Sequence, residues 1–208
     1  MSAPTIAELV ARAQAPAAAH ARRRLLGITG PPGAGKSTLA AILAAELGAP
    51  VVPMDGFHLS NERLRQLGIL DRKGAPDTFD AVGYVALLLR LRAADRRVLA
   101  PAFDRARERT VDEAIEVPVD APLVITEGNY LLLPEQPWVA IPAILDEVWF
   151  VDDPRRVQRL VERHVAAGWP EDQAHARATL GSDARNAQLI DETTGRADLV
   201  LAHGWLSR

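Results

Sequence analysis

The strongest chemical signal in the chain is one run of eight residues. Gly30-Pro31-Pro32-Gly33-Ala34-Gly35-Lys36-Ser37 fits the pattern G-x-x-x-x-G-K-[ST] in full. Glycines let backbone N–H groups approach anionic oxygens with no side chain in the way. A lysine at the seventh position sets a point charge on the β- and γ-phosphates of a nucleotide. The hydroxyl after it can ligate Mg²⁺. A helix that starts at the lysine aims its positive end at the same anion. Residues Gly30 to Thr38 are therefore the expected nucleotide cradle, with ATP and Mg²⁺ as the expected cofactors.

Two carboxylates follow short apolar runs. Asp55 stands in Met54-Asp55-Gly56-Phe57-His58, directly after Val51 to Met54. In an open parallel sheet, ligands sit at the carboxyl ends of the strands. A carboxylate there can take the proton of an attacking hydroxyl or hold Mg²⁺ through water; it can equally cap a turn. Glu127 ends Leu123 to Thr126 in the same way, in Thr126-Glu127-Gly128. It is expected to organise Mg²⁺ together with Ser37, the alternative being an acid at a strand-end turn.

Those residues need a scaffold. The chain alternates short apolar runs with longer helical periods, the pattern of a parallel sheet covered by helices. Strands are expected at 25–29, 51–54, 123–126, 148–151 and 199–201. Helices are expected at 36–47, closed by Gly48, and at 61–67. Asp80 is expected to cap a helix over 81–92, and Asp153-Pro154 one that runs from Pro154 to about 167. A further helix is expected over 171–189. Residues 101–121 read as an irregular or hairpin excursion. The expected fold is a single α/β domain of the P-loop NTPase type, with five parallel strands and helices on both faces. Residues 1–23 form a helical extension before the domain at 24–208.

In order, these motifs resemble the phosphoribulokinase, uridine kinase and bacterial pantothenate kinase group. The stretch Asp55-Gly56-Phe57, Asn61 and Leu67 to Asp80 looks most like bacterial pantothenate kinases. Glu127-Gly128-Asn129-Tyr130-Leu131-Leu132 is similar to an element of the whole group. Pro101-Ala102-Phe103-Asp104, followed by Arg105, Arg107 and Arg109, resembles a uridine-kinase stretch that leads to a substrate arginine. The chain is also similar to bacterial proteins called fructose transport system kinases. The resemblance implies that Asp55 is the general base and Glu127 the acid associated with Mg²⁺. It places Phe57 and His58 in the acceptor pocket and brings one of Arg105, Arg107 and Arg109 to the substrate. Phe103, Asn129, Tyr130 and Lys73 fall on the same side, Lys73 with substrate contact and plain solvation both open. A lid over about 154–168 would turn Arg159 and Arg163, four residues apart on one helix face, toward the phosphates to neutralise charge on the transferred group, the alternative being two solvated surface arginines. Asp183-Ala184-Arg185-Asn186 finds no role among the pantothenate contacts.

Composition narrows the partners. The net charge is −3 and no basic stripe is interleaved with aromatics, which disfavours nucleic acid. No apolar run approaches a membrane span. Cysteine is absent, so thiol catalysis, disulfides and zinc ribbons are excluded. A cytoplasmic protein with a small-molecule hydroxyl acceptor is expected, and a homodimer is left open. Two rival readings remain. A nucleoside monophosphate kinase would need arginines and no base, so Asp55 disfavours it. A P-loop regulatory module would bind ATP to switch a partner.

Overall fold

The computed structural model describes residues 4–15 and 23–202. Five parallel strands form the central sheet: β1 (Arg24–Thr29), β2 (Val51–Pro53), β5 (Leu123–Glu127), β6 (Glu147–Asp152) and β7 (Leu199–Ala202), in the order β2-β5-β1-β6-β7. This is the five-stranded parallel sheet that the alternation of runs predicts.

The strands are apolar throughout because both faces are covered. Leu25, Val124, Val148 and Phe150 point to one face, into a cluster with Tyr84, Leu87, Leu88 and Leu91 of α4 (Ala81–Ala93). Leu26, Ile28, Ile125, Trp149 and Val151 point to the other, against Leu39 and Leu43 of α2 (Lys36–Leu47). The period of two along each strand sorts the residues between the two clusters. Helix α1 (Ile6–Ala13), started by a capping box between Thr5 and Glu8, lays Leu9 and Ala13 into the second cluster. Residues 1–3 and 16–22 of the N-terminal segment lie outside the described residues.

Register decides where the chemistry can occur. Ile28 of β1 pairs with Glu127, and Glu127 pairs with Pro53 of β2. The exits of β1, β5 and β2 therefore lie at one level, with the P-loop, Glu127 and Asp55 leaving them side by side. Below this edge, the Tyr84 and Thr126 hydroxyls lie 2.5 Å apart, and Thr126 donates to the Val52 carbonyl at 2.6 Å. This buried chain of hydrogen bonds ties α4 to β5 and β2.

Three expectations change in detail. The excursion at 101–121 is an ordered antiparallel hairpin of β3 (Val98–Asp104) and β4 (Arg109–Val117), with a register shift between Ala100 and Ala102. The helix expected to begin at Pro154 begins two residues later, as α5 (Arg156–Ala166). The reason is Asp153, whose carboxylate takes the Arg155 N–H at 2.8 Å and whose carbonyl takes the Arg156 N–H at 2.9 Å. A turn thus precedes the helix. The single helix expected over 171–189 is two, α6 (Glu171–Thr179) and α7 (Ser182–Asp191). Gly181 breaks it with extended backbone at φ −90° and ψ −151°. Any side chain there would strike the Arg177 backbone, at 2.8 Å from its carbonyl oxygen. The remaining short helix is α3 (Asn61–Gln66), capped by the Ser60 hydroxyl.

Candidate active site

The P-loop lies between β1 and α2 and is gripped from two sides. Gly30 has φ +145°, and a Cβ on it would lie 2.0 Å from the Val151 carbonyl oxygen of β6. Gly33 has φ +79°, and a Cβ there would lie 2.4 Å from the Arg156 carbonyl oxygen of α5. The glycines therefore bring β6 and the start of α5 to the loop, besides opening it to phosphate.

Lys36 curls back over this loop. Its Nζ donates to the carbonyls of Gly30 at 2.8 Å and Pro31 at 3.0 Å. Burial lowers its pKa from the usual lysine range to about 8, against the raising effect of Glu127 and Asp55. The neighbouring charges of Arg163 and Arg105 lower it further. Phosphate binding requires the protonated form, and the free protein loses that proton as pH rises through about 8. ATP affinity is therefore expected to stay nearly constant up to about pH 7.5, then to weaken by up to about tenfold per unit above the Lys36 pKa. Calorimetric titration across this range checks it, and a flat profile to pH 9.5 would contradict it.

Ser37 donates to Glu127 Oε1 at 3.0 Å. Burial raises the Glu127 pKa, opposed first by the Lys36 charge. A hydroxyl and a carboxylate in contact are hard oxygen donors of the kind Mg²⁺ takes. Among the described residues no group of three or more His, Asp or Glu could hold a metal by itself. The pair thus fits an ion that keeps several waters and reaches the site on phosphate.

Asp55 lies just past β2, in a single helical turn of Met54–Phe57. Gly56 explains how the hairpin reaches it. A Cβ at Gly56 would lie 2.4 Å from the Pro101 carbonyl oxygen, so only glycine lets β3 lie against this turn. The hairpin in turn brings Arg105 to Asp55, with its guanidinium 2.5 Å from Oδ2. Gly56→Ala is expected to push the hairpin off the turn. It should lower stability by about 1–3 kcal/mol, the usual cost of overpacking, and lower turnover with it. Thermal melts and steady-state rates on the same preparation check both.

His58 is flanked by aromatic rings. It stacks on Phe79 with centroids 4.1 Å apart and tilts against Phe103 at 4.8 Å. Its Nε2 is 3.9 Å from Asp55 Oδ1. Burial lowers its pKa to about 4, so it faces Asp55 as a neutral ring at neutral pH. An antiparallel bridge between His58 and Phe79 folds the 70–80 loop back onto this turn. Lys73 on that loop donates to Asn61 at 2.8 Å and lies over the Phe103 ring, 5.3 Å from its centroid.

Of the residues singled out from sequence, Lys36, Ser37, Glu127, Asp55, Arg105 and His58 converge in one cluster. Arg163, on α5, is near enough for its charge to bear on Lys36, but its side chain is exposed and, among the described residues, makes no hydrogen bond or ion pair with the cluster. Others turn elsewhere. Arg159 is held by the Asp153 carboxylate at 2.8 Å. Arg107 pairs with Asp104 in the hairpin turn, and Arg109 is exposed at the start of β4. Phe57 packs on Tyr84, with centroids 5.1 Å apart. Tyr130 is buried and gives its hydroxyl to the Gly74 carbonyl, while the Asn129 carbonyl accepts from Thr29 at 3.1 Å. Asp153 is read from sequence only as a helix cap, and Asp183 and Asn186 only as part of a run without a role; the structure buries all three.

Comparison with known proteins places the chain in a family. The model of the ATPase family associated with various cellular activities (AAA) matches residues 26–112, from within β1 into β4. The "ATP-dependent kinase-like protein notR'" of Aspergillus versicolor is 38% identical over 66% of this chain and 86% of its own length. "Putative uridine kinase C227.14" of Schizosaccharomyces pombe is 35% identical over 88% of this chain and 84% of its own length. The crystal structure of a "putative fructose transport system kinase" from Silicibacter sp. TM1040 superposes with a TM-score of 0.84 at 40% identity, over 95% of this chain and 98% of that one. With relatives of this kind spanning nearly its whole length, the chain belongs to the uridine-kinase-like P-loop kinases.

Proposed function

We propose that the protein transfers the γ-phosphate of ATP, with Mg²⁺, to a hydroxyl of a small metabolite such as a sugar, a nucleoside or a pantothenate-like alcohol. The observation that carries this reading is Asp55, a carboxylate at the exit of β2 that acts electrostatically on both Lys36 and Glu127. A kinase whose acceptor is itself a phosphate needs no base at that place. The names of the relatives support the class: one is called a uridine kinase and another a fructose transport system kinase.

The roles follow from position. The P-loop N–H groups and Lys36 hold the β- and γ-phosphates. Ser37 directly, and Glu127 through water, would hold Mg²⁺, which supplies positive charge to the phosphate oxygens. Arg105 binds one oxygen of Asp55 and orients the carboxylate, and Oδ1 remains for the acceptor. That oxygen takes the hydroxyl proton as the new O–P bond forms and the bond to the β-phosphate oxygen breaks. Arg163, whose charge bears on Lys36, would swing in to offset charge that spreads over the transferred group. His58, Phe103 and Lys73 form the acceptor side. Most of the rate enhancement then comes from positioning and charge, as phosphoryl transfer requires.

The test is ADP release from Mg·ATP across a panel of sugars, nucleosides, pantothenate and other vitamin alcohols, with Lys36→Ala as the blank. One acceptor that raises release well above the acceptor-free rate, in the wild type alone, supports the proposal. Bound ATP with a flat panel would favour a regulatory ATP-binding module.

A further inference from the structure

The run Asp183-Ala184-Arg185-Asn186 plays no part in the chemistry above, yet both of its ends are buried. They lie one turn apart on α7 and face different partners. Asp183 Oδ2 lies 2.8 Å from His164 Nε2 of α5 and 3.8 Å from Arg177 Nε of α6. One carboxylate thus joins α5, α6 and α7. Asn186 Nδ2 donates to the Gly74 carbonyl at 3.1 Å. The same carbonyl accepts the Tyr130 hydroxyl.

Gly74 is therefore held from two directions. Tyr130 ties it to the exit of β5, three residues beyond Glu127, and Asn186 ties it to α7. Lys73, on the acceptor side, precedes Gly74 in the chain. At its other end α7 is fixed, because Ile190 is buried in the core beneath the sheet. The opposite end of the linkage starts at the nucleotide. The first turn of α5 lies against Gly33 of the P-loop, where the Arg156 carbonyl leaves no room for a side chain, and His164 lies about two turns further along the same helix.

We propose that α7 is a strut between the lid helix α5 and the acceptor loop 70–80, and that Asn186 is the positioning residue through which nucleotide binding orders the Lys73 side of the acceptor site. The proposal rests on the kinase reading above. Phosphates bound in the P-loop settle the first turn of α5 against Gly33, the His164 and Asp183 pair passes that position to α7, and Asn186 passes it to Gly74. Such coupling lets ATP binding strengthen the hold that Asn186 already has on Gly74.

Hydrogen exchange on the full chain, with and without Mg²⁺ and a non-hydrolysable ATP analogue, tests it. In the wild type, exchange in peptides covering 70–80 is expected to slow roughly fivefold on nucleotide binding, the weight of one hydrogen bond. Asn186→Ala should lose that slowing while the P-loop and α5 still gain protection. Asn186→Asp keeps the side-chain volume and removes the donor, so it should behave the same way even where the alanine variant folds poorly. Tyr130→Phe removes the other donor, and should speed exchange in the loop while the nucleotide-dependent slowing persists. Slowing retained in both Asn186 variants would overturn the proposal, as would a wild-type loop indifferent to nucleotide while the P-loop is protected. No protection of the P-loop in the wild type would overturn the Mg·ATP reading itself.

Discussion

Asp55→Asn is expected to lower kcat by about 10²–10⁴-fold and to leave the Kd for ATP within about twofold. Asparagine has the shape of aspartate but cannot take a proton from the attacking hydroxyl. It can still accept from Arg105, so the hairpin should stay in place, and Gly56 still admits β3. The acceptor KM should change little, because the lost interaction matters only as the O–P bond forms. Steady-state kinetics with the acceptor found by the panel, together with calorimetry for ATP, separates these quantities. If Asp55 only capped the turn, kcat would fall by no more than about threefold, since the turn survives the substitution.

Lys36→Ala is expected to cut turnover by more than about 10³-fold and to weaken ATP binding markedly. On the proposed function, the side chain supplies a charge to the phosphates from within the loop. Arg163 and Arg105 are close enough to depress its pKa, yet they belong to α5 and to the β3–β4 hairpin rather than to the loop itself. Stability should behave differently. A lysine whose folded pKa lies below its unfolded value is an unfavourable buried charge at neutral pH. That penalty is present below about pH 8 and fades as the pH rises toward the ordinary lysine range. The alanine variant should therefore melt at or above the wild-type temperature at pH 7, despite the loss of two hydrogen bonds to the loop. A large drop in Tm would mean that Lys36 holds the P-loop together in the free protein.

The nucleotide half of the site was readable in the sequence because it depends on local backbone. Gly30, Gly33, Gly35, Lys36 and Ser37 sit in one turn between a strand and a helix, and spacing alone brings them together. Asp55 and Glu127 were readable because strand ends share one edge of a parallel sheet, although only the register of β1, β5 and β2 shows them level. The acceptor half depends on contacts between distant segments. Arg105 could not be separated from Arg107 and Arg109 by sequence, since the choice is made by the hairpin turn and by the close approach of Pro101 to Gly56. The pairing of Arg159 with Asp153 was hidden by a helix start shifted two residues. Asp183 and Asn186 were hidden by the break at Gly181, because a continuous helix over 171–189 would have turned them through a different angle. Their partners, His164 and Gly74, lie 19 and 112 residues away in the chain.

The most direct test of the central claim follows the phosphorus itself. ³¹P NMR of the purified protein with Mg·ATP and the acceptor found by the panel should show a new phosphomonoester resonance growing in step with ADP, and none with Lys36→Ala. Free orthophosphate in place of the ester would show hydrolysis and contradict transfer to a hydroxyl. Signals of a newly formed nucleoside diphosphate from an added monophosphate would contradict it equally, because the acceptor would then be a phosphate.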